Sequence, residues 1–226
     1  MNILPSTLQS AERAISDLRR GAMVVVAGKE HAIIVQAAEG FTRDALARMA
    51  AISKNSPSLL LTARRATILG LTDQTNGAVR ISLSHTITAE VVRMMADPAG
   101  RQPENYKAAV AIDFIDPDTE PGAAELGAIE IAKLARLLPA TVVATLPKER
   151  MAYLSSWVNT ESLLVVELSA ISQYRDAEAR TLECVGEATV PLSDSENTKV
   201  IAFRPPDGGR EHLAIIIGKF DPKSDC

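Results

Sequence analysis

The sequence predicts an α/β fold with some α+β character: a mixed sheet covered by helices, followed by a short β-meander. Three observations carry this expectation. Runs of β-branched and apolar residues alternate along most of the chain with amphipathic stretches of helical length, the order that βαβ units produce. Near the start two apolar runs stand back to back, MVVVA and AIIV, with only Gly28-Lys29-Glu30-His31 between them, so one neighbouring pair is an antiparallel hairpin. After about Ala179 three strand-like runs follow one another without a helix, which is how a meander is written.

The elements follow in order. Ser6 or Thr7 is placed to cap a first helix with Leu8, Ala11, Ile15 and Leu18 on its apolar face, and Gly21 ends it. Val24 to Val26 and Ile33 to Val35 form the hairpin. Thr42 opens a second helix, with Ala45, Leu46, Met49 and Ala50 turned inward. SLLLT is a short buried strand, ARRATILGL one or two helical turns, and VRISLS another strand. Thr86 opens the helix ITAEVVRMMADP, which Pro98 closes. AAVAID (Ala108 to Asp113) is a buried strand followed by the acidic turn IDPDTEPG and the long helix AAELGAIEIAKLARLL. TVVATL and LLVVEL are strands, each followed by a helix, KERMAYLSSWV and SAISQYRDAEA. LECVGEATVPL, TKVIAFRPP and REHLAIIIGKF complete the chain as three strands linked by SDSEN and PPDGG. Three strands in about 45 residues bury too little surface for a full core. The second unit therefore reads as cut short.

Composition narrows the function. The chain has 226 residues, 46% hydrophobic and 23% charged, enough for a substantial globular core. A net charge of −4 and scattered basic residues argue against a nucleic-acid partner. Aromatic residues at 4% leave no stacking platform for single strands. No apolar run reaches the ~20 residues that span a bilayer, so no membrane association is expected. The N-terminus carries acids and lacks an apolar leader segment, which points to the cytoplasm. Cys184 and Cys226 lie far apart with no CxxC, consistent with a reducing compartment and no zinc site.

Candidate chemistry is sparse. His31 beside Glu30 reads as part of a surface turn, His85 as a residue ahead of a helix, and His212 as a strand start beside Glu211. Asp113, Asp116, Asp118 and Glu120 form an acidic run that could hold a hard cation, but it lacks an EF-hand's glycine spacing and closing Glu. No P-loop, dinucleotide fingerprint or nucleophile elbow occurs.

The wording of several segments is familiar. AERAISDLRRGAMVVV, QAAEGFT, AISKNSPSLLLT, MADPAG and PGAAELGAIEIAKLARLLPA together resemble 3,4-dihydroxy-2-butanone 4-phosphate synthase. LSAISQYRDAEARTLECVGEATVPL is similar to the linker of bifunctional riboflavin-biosynthesis proteins, in which such a synthase runs into GTP cyclohydrolase II. GGREHLAIIIGKFDP resembles the opening strands of that cyclohydrolase. The resemblance implies residues 1–180 as a synthase-like domain and 181–226 as the first strands of a cyclohydrolase-like one.

The resemblance also implies magnesium and a general acid/base for ribulose 5-phosphate, supplied by an acidic loop between the first two strands and by the histidine of a Gly-His-Thr-Glu string. Here that loop is the short Ala27-Gly28-Lys29-Glu30-His31, with Lys29 where acid is expected. The string reads Gly122-Ala123-Ala124-Glu125, with alanine in place of the ligand. The stretch between Leu71 and Ser82 is also abbreviated. Glu30 and Glu125 remain as catalytic candidates, Ser84 and Arg93 as substrate-binding candidates, and no metal ligand is expected. The synthase site reads as degenerate.

The cyclohydrolase's zinc, held by three cysteines, and its magnesium belong to a part that the resemblance places downstream, so no cofactor is expected for this chain. The parent protein is read as a GTP cyclohydrolase II acting on GTP, with this domain as a homodimerising scaffold. The alternatives are a working magnesium-dependent synthase acting on ribulose 5-phosphate, and a module sensing a nucleotide or flavin in the old cavity.

Overall fold

The structure, a computed structural model, describes residues 7–83, 88–100, 112–115, 122–193, 195–205 and 211–218. It divides into two compact units, residues 1–174 and 175–226. In chain order the first holds α1 (Thr7–Arg19), β1 (Val24–Ala27), β2 (Ala32–Ala37), α2 (Arg43–Ser53), β3 (Ser58–Thr62), α3 (Ala63–Ile68), β4 (Ala78–Ser82), α4 (Ala89–Ala96) and β5 (Ile112–Ile115). It continues through α5 (Ala123–Leu134), β6 (Ala140–Thr145), α6 (Lys148–Met151), α7 (Leu154–Thr160), β7 (Leu164–Glu167) and into α8 (Leu168–Arg180).

The seven strands form one mixed sheet in the order β5-β4-β3-β6-β2-β1-β7. The sheet is mixed, as the sequence predicts, and antiparallel pairing dominates it: every neighbouring pair runs antiparallel except β1 with β7. A helix between two strands fixes only that the chain leaves the sheet; strand direction depends on where it returns. Here β6 slots between β2 and β3, antiparallel to both.

Strands buried on both faces explain the continuous apolar runs. One face of the sheet, with Val25, Ile34, Leu59, Leu61, Val79, Ile81 and Val142, packs on Met49 of α2, Val92 and Met95 of α4 and Trp157 of α7. The opposite face, with Val24, Val26, Ile33, Val35, Leu60 and Val143, meets Ala11, Ile15 and Leu18 of α1, Ala128 and Ile131 of α5 and Ile171 of α8. Full burial of each such side chain contributes about 1.5–3 kcal/mol. Leu8, expected inward, is 42% exposed. Helix α1 ends as anticipated at Gly21, whose φ of 77° suits the residue without a Cβ.

Local signals set most helix starts. The Thr42 side chain accepts from the Ala45 amide at 3.2 Å, and Thr62 caps α3 in the same way. Helix α4 is capped by Thr88, not by Thr86, which lies outside the described residues along with Ser6. The stretch KERMAYLSSWV, expected as one helix, forms the two short helices α6 and α7. Of the strand expected over Ala108 to Asp113, the described part is shifted onward to Ile112–Ile115.

Arginines tie helix ends to distant segments. Arg19 donates to the carbonyls of Ala135 and Leu134 just past and at the end of α5, at 2.9 and 3.3 Å. Arg65 donates to Met95 and Asp97 carbonyls at the end of α4, at 2.8 and 2.9 Å. Each satisfies acceptors that a helix terminus leaves unpaired.

The second unit contains β8 (Glu183–Thr189), β9 (Thr198–Arg204) and β10 (His212–Ile217), an antiparallel sheet in the order β10-β9-β8. A register shift sits between Cys184 and Gly186. Leu213, Ile215 and Ile217 share one face of β10 and are 62, 60 and 66% exposed.

Gly127 of α5 lies in close contact with Leu168 of α8. A Cβ there would come within 2.2 Å of Leu168 Cδ2, while Val26 Cγ1 lies 3.5 Å away. Gly127→Val should therefore lower the unfolding free energy by about 1–3 kcal/mol through overpacking. Adding Leu168→Ala should recover part of that loss in urea unfolding. Strict additivity of the two changes would show that the close approach is not real.

Candidate functional site

A cavity of about 580 Å³ opens where the β1–β2 turn, the end of β6 and the start of α5 converge. The turn is closed by the Gly28 amide donating to the His31 carbonyl at 2.9 Å, and neither Lys29 nor Glu30 adopts a left-handed conformation. This hairpin therefore carries the side chains of Lys29, Glu30 and His31 into one wall. Thr145 and Lys148, at the end of β6 and the start of α6, line the cavity from a second element.

Glu125 is the buried centre of the site. Its side chain is only 2% exposed, in the first turn of α5, where the positive end of the helix dipole favours a carboxylate. One of its oxygens accepts from Arg80 Nη2 on β4, and the other lies 3.3 Å from His31 Nε2. Arg80 is 28% exposed and also stands 4.0 Å from Asp113 Oδ2, its register partner on β5. Two elements far apart in sequence are thus joined to α5 through one carboxylate. A buried charge without such partners is strongly unfavourable, which is why the pair and the burial go together.

The residues singled out in the sequence distribute unevenly. Glu30 and Glu125 both line the cavity. Arg93 does not join them: it sits on α4, which packs on the other face of the sheet, and donates to the Phe41 carbonyl at 2.6 Å and to Glu90 at 3.3 Å. Ser84 and His85 lie outside the described residues, as do Asp116, Asp118, Glu120 and Cys226. His212 is exposed at the start of β10, and Cys184 is an exposed free thiol on β8.

The sequence pattern places His31 in a surface turn. It is in the turn, but its ring is turned toward Glu125, 94 residues away in sequence. No motif in the sequence marks Arg80 or Lys148 as a site residue. Arg80 carried one usable signal, a lone charge within the strand VRISLS on the same face as the buried Ala78. Lys148 carried none.

The magnesium implied by the resemblance does not fit this lining. Divalent magnesium requires several oxygen donors held at short range. Both Glu125 oxygens are engaged by cationic or imidazole nitrogens, and Lys29 and Lys148 add positive charge where a cation would be repelled. Among the described residues, no group of three or more His, Cys, Asp or Glu side chains is arranged to hold a metal ion.

The seven-stranded sheet with helices on both faces defines the fold of the 3,4-dihydroxy-2-butanone 4-phosphate synthases. The chain superimposes on RibBX, a two-domain synthase from A. baumannii, with a TM-score of 0.59 at 18% identity, over 92% of this chain and 70% of that one. Two synthase structures, one in its cation-free form and one with two magnesium ions, match with TM-scores of 0.53 and 0.54, at 18 and 17% identity, over 74% of this chain and 97% of theirs. Covering 92% of the chain requires the match to RibBX to extend into the second unit, which begins at Arg175.

Sequence similarity leads to a different name. The chain is 37% identical over 214 residues to GTP cyclohydrolase-2 of Azospirillum brasilense, and 28% identical over 217 residues to that of Xylella fastidiosa. These alignments take in 94% of this chain but 54 and 49% of the relatives, so the chain spans about half the length of the curated relatives it matches. No protein-family model matches. Synthase fold and cyclohydrolase-named relatives together support the resemblance to fused riboflavin-biosynthesis proteins. No helix among the described residues is long and apolar enough to cross a membrane.

Because Glu125 depends on Arg80, Arg80→Leu should destabilise the protein by about 3–5 kcal/mol, the loss expected when a buried charge keeps its place without its partner. Arg80→Leu combined with Glu125→Leu should lose less than Arg80→Leu alone. Chemical denaturation of the three proteins measures this, and a double variant weaker than the single one would contradict the pairing.

Proposed function

We propose that this chain is the synthase-derived part of a riboflavin-pathway protein of the GTP cyclohydrolase-2 kind, kept as a scaffold and without synthase chemistry of its own. The observation that carries this reading is the state of Glu125: its carboxylate is held by Arg80 and His31 in a cavity that also presents two lysines. The core is complete on both faces of the sheet, as a domain retained for its shape requires. In the parent protein, the scaffold pairs with a second copy of itself in the cytoplasm and holds the GTP-converting part in a fixed orientation. Zinc and GTP belong to that other part.

A working synthase would release formate from ribulose 5-phosphate in the presence of magnesium. The 226-residue chain should release none above the blank in a coupled formate assay, and magnesium-dependent turnover would refute the scaffold reading. Grafting an acidic loop in place of Lys29 and Glu30 should not restore turnover, since Ala123 still offers no imidazole. Sedimentation at micromolar concentration should give a dimer, and a monomer would remove the pairing from the proposal. In the gene, three closely spaced cysteines are expected beyond Cys226.

A further inference from the structure

Arg80 occupies an unusual place for a charged residue. It lies within β4 between Val79 and Ile81, both fully buried. Its Nη2 donates to Oε1 of Glu125, a carboxylate only 2% exposed at the start of α5. Its Nη1 stands 4.0 Å from Oδ2 of Asp113, the residue opposite it on β5. One cation thus sits between two carboxylates that come from different elements. His31 Nε2 lies 3.3 Å from the Glu125 oxygen that Arg80 leaves free.

Holding carboxylates from separate elements around one charge is what a divalent cation does in a protein. A guanidinium does the same through directed N–H donors, keeps its charge throughout the physiological range and cannot dissociate. The charge balance of the cavity agrees. Three cationic side chains, Lys29, Arg80 and Lys148, face two carboxylates, Glu30 and Glu125, an excess of one positive charge before any ion enters. A divalent ion would add two more, in a concavity whose walls weaken the screening by water.

We propose that Arg80 is the resident cation of this site: it takes over, at Glu125, the charge-neutralising and element-bridging role that the resemblance gives to a divalent metal, and the domain neither binds nor needs a metal there. The guanidinium is part of the chain, so the link between β4, β5 and α5 is made on folding and is independent of the ions in solution. This goes beyond the loss of turnover, because a site can lose its reaction and still retain a metal. A metal bound at Glu125 of an inactive chain would refute this inference and leave the scaffold reading intact.

The test titrates the 226-residue chain with Mn²⁺, an oxygen-seeking divalent probe whose free form is counted by electron paramagnetic resonance. Wild type and Glu125→Gln should take up Mn²⁺ to the same extent, and excess Mg²⁺ should move their thermal midpoints equally. A folded-state site held at about 100 times its dissociation constant would instead raise the wild-type midpoint by roughly 5–10 °C. Arg80→Met keeps much of the side chain and removes its charge. It should unfold at a lower temperature and gain a saturable Mn²⁺ response that adding Glu125→Gln abolishes. Where Arg80→Met does not fold, the comparison of wild type with Glu125→Gln decides by itself. A wild-type Mn²⁺ site or Mg²⁺ stabilisation that Glu125→Gln removes, or a folded Arg80→Met indifferent to Mn²⁺, would overturn the proposal.

Discussion

The carboxylate of Glu125 is the point on which the site depends. It lies almost wholly out of solvent, where a guanidinium from β4 and an imidazole from the β1–β2 turn approach its two oxygens and offset the cost of burying it. Those contacts connect a helix, a strand near one edge of the sheet and a hairpin near the other. They also restrict what the cavity can hold, because both oxygens of this acid are already in use. One buried interaction thus serves as both a structural link and a chemical restriction.

Much of the architecture was legible from local patterns. Thr42 ahead of an amphipathic run, Gly21 after one, and unbroken apolar runs such as SLLLT each named an element that the structure contains. These signals act over a few residues, and local chemistry decides them. Strand direction was not legible. The parallel or antiparallel sense of β6 depends on its two neighbours, β2 and β3, and nothing in TVVATL encodes which side faces which partner. The site divided along the same line. Glu30 and Glu125 were identifiable because motifs flank them, whereas Arg80 and the inward turn of His31 emerge only when residues 94 and 45 positions apart are brought together.

The two units reach stability in different ways. The first buries apolar side chains on both faces of its sheet and anchors helix ends with arginines. The second is a meander whose β8 is exposed along its whole length and whose β10 presents three large aliphatic side chains to solvent. Its interstrand hydrogen bonds give it shape, but three strands with an uncovered apolar face are marginal in water without a layer against them.

The single parallel contact has a consequence for biosynthesis. Strand β1 emerges early and can pair at once with β2, since only a tight turn separates them. Its other side must wait for β7, which aligns Val24 with Leu164, about 140 positions later. At ~5–20 residues per second on the ribosome, that interval lasts on the order of 7–28 s. Throughout it, the nascent hairpin carries a bare row of amides and carbonyls flanked by valines, the kind of edge that invites pairing with another chain. Translation speed therefore sets a lower bound on how long that edge stays open, since its partner strand does not exist until β7 has been made.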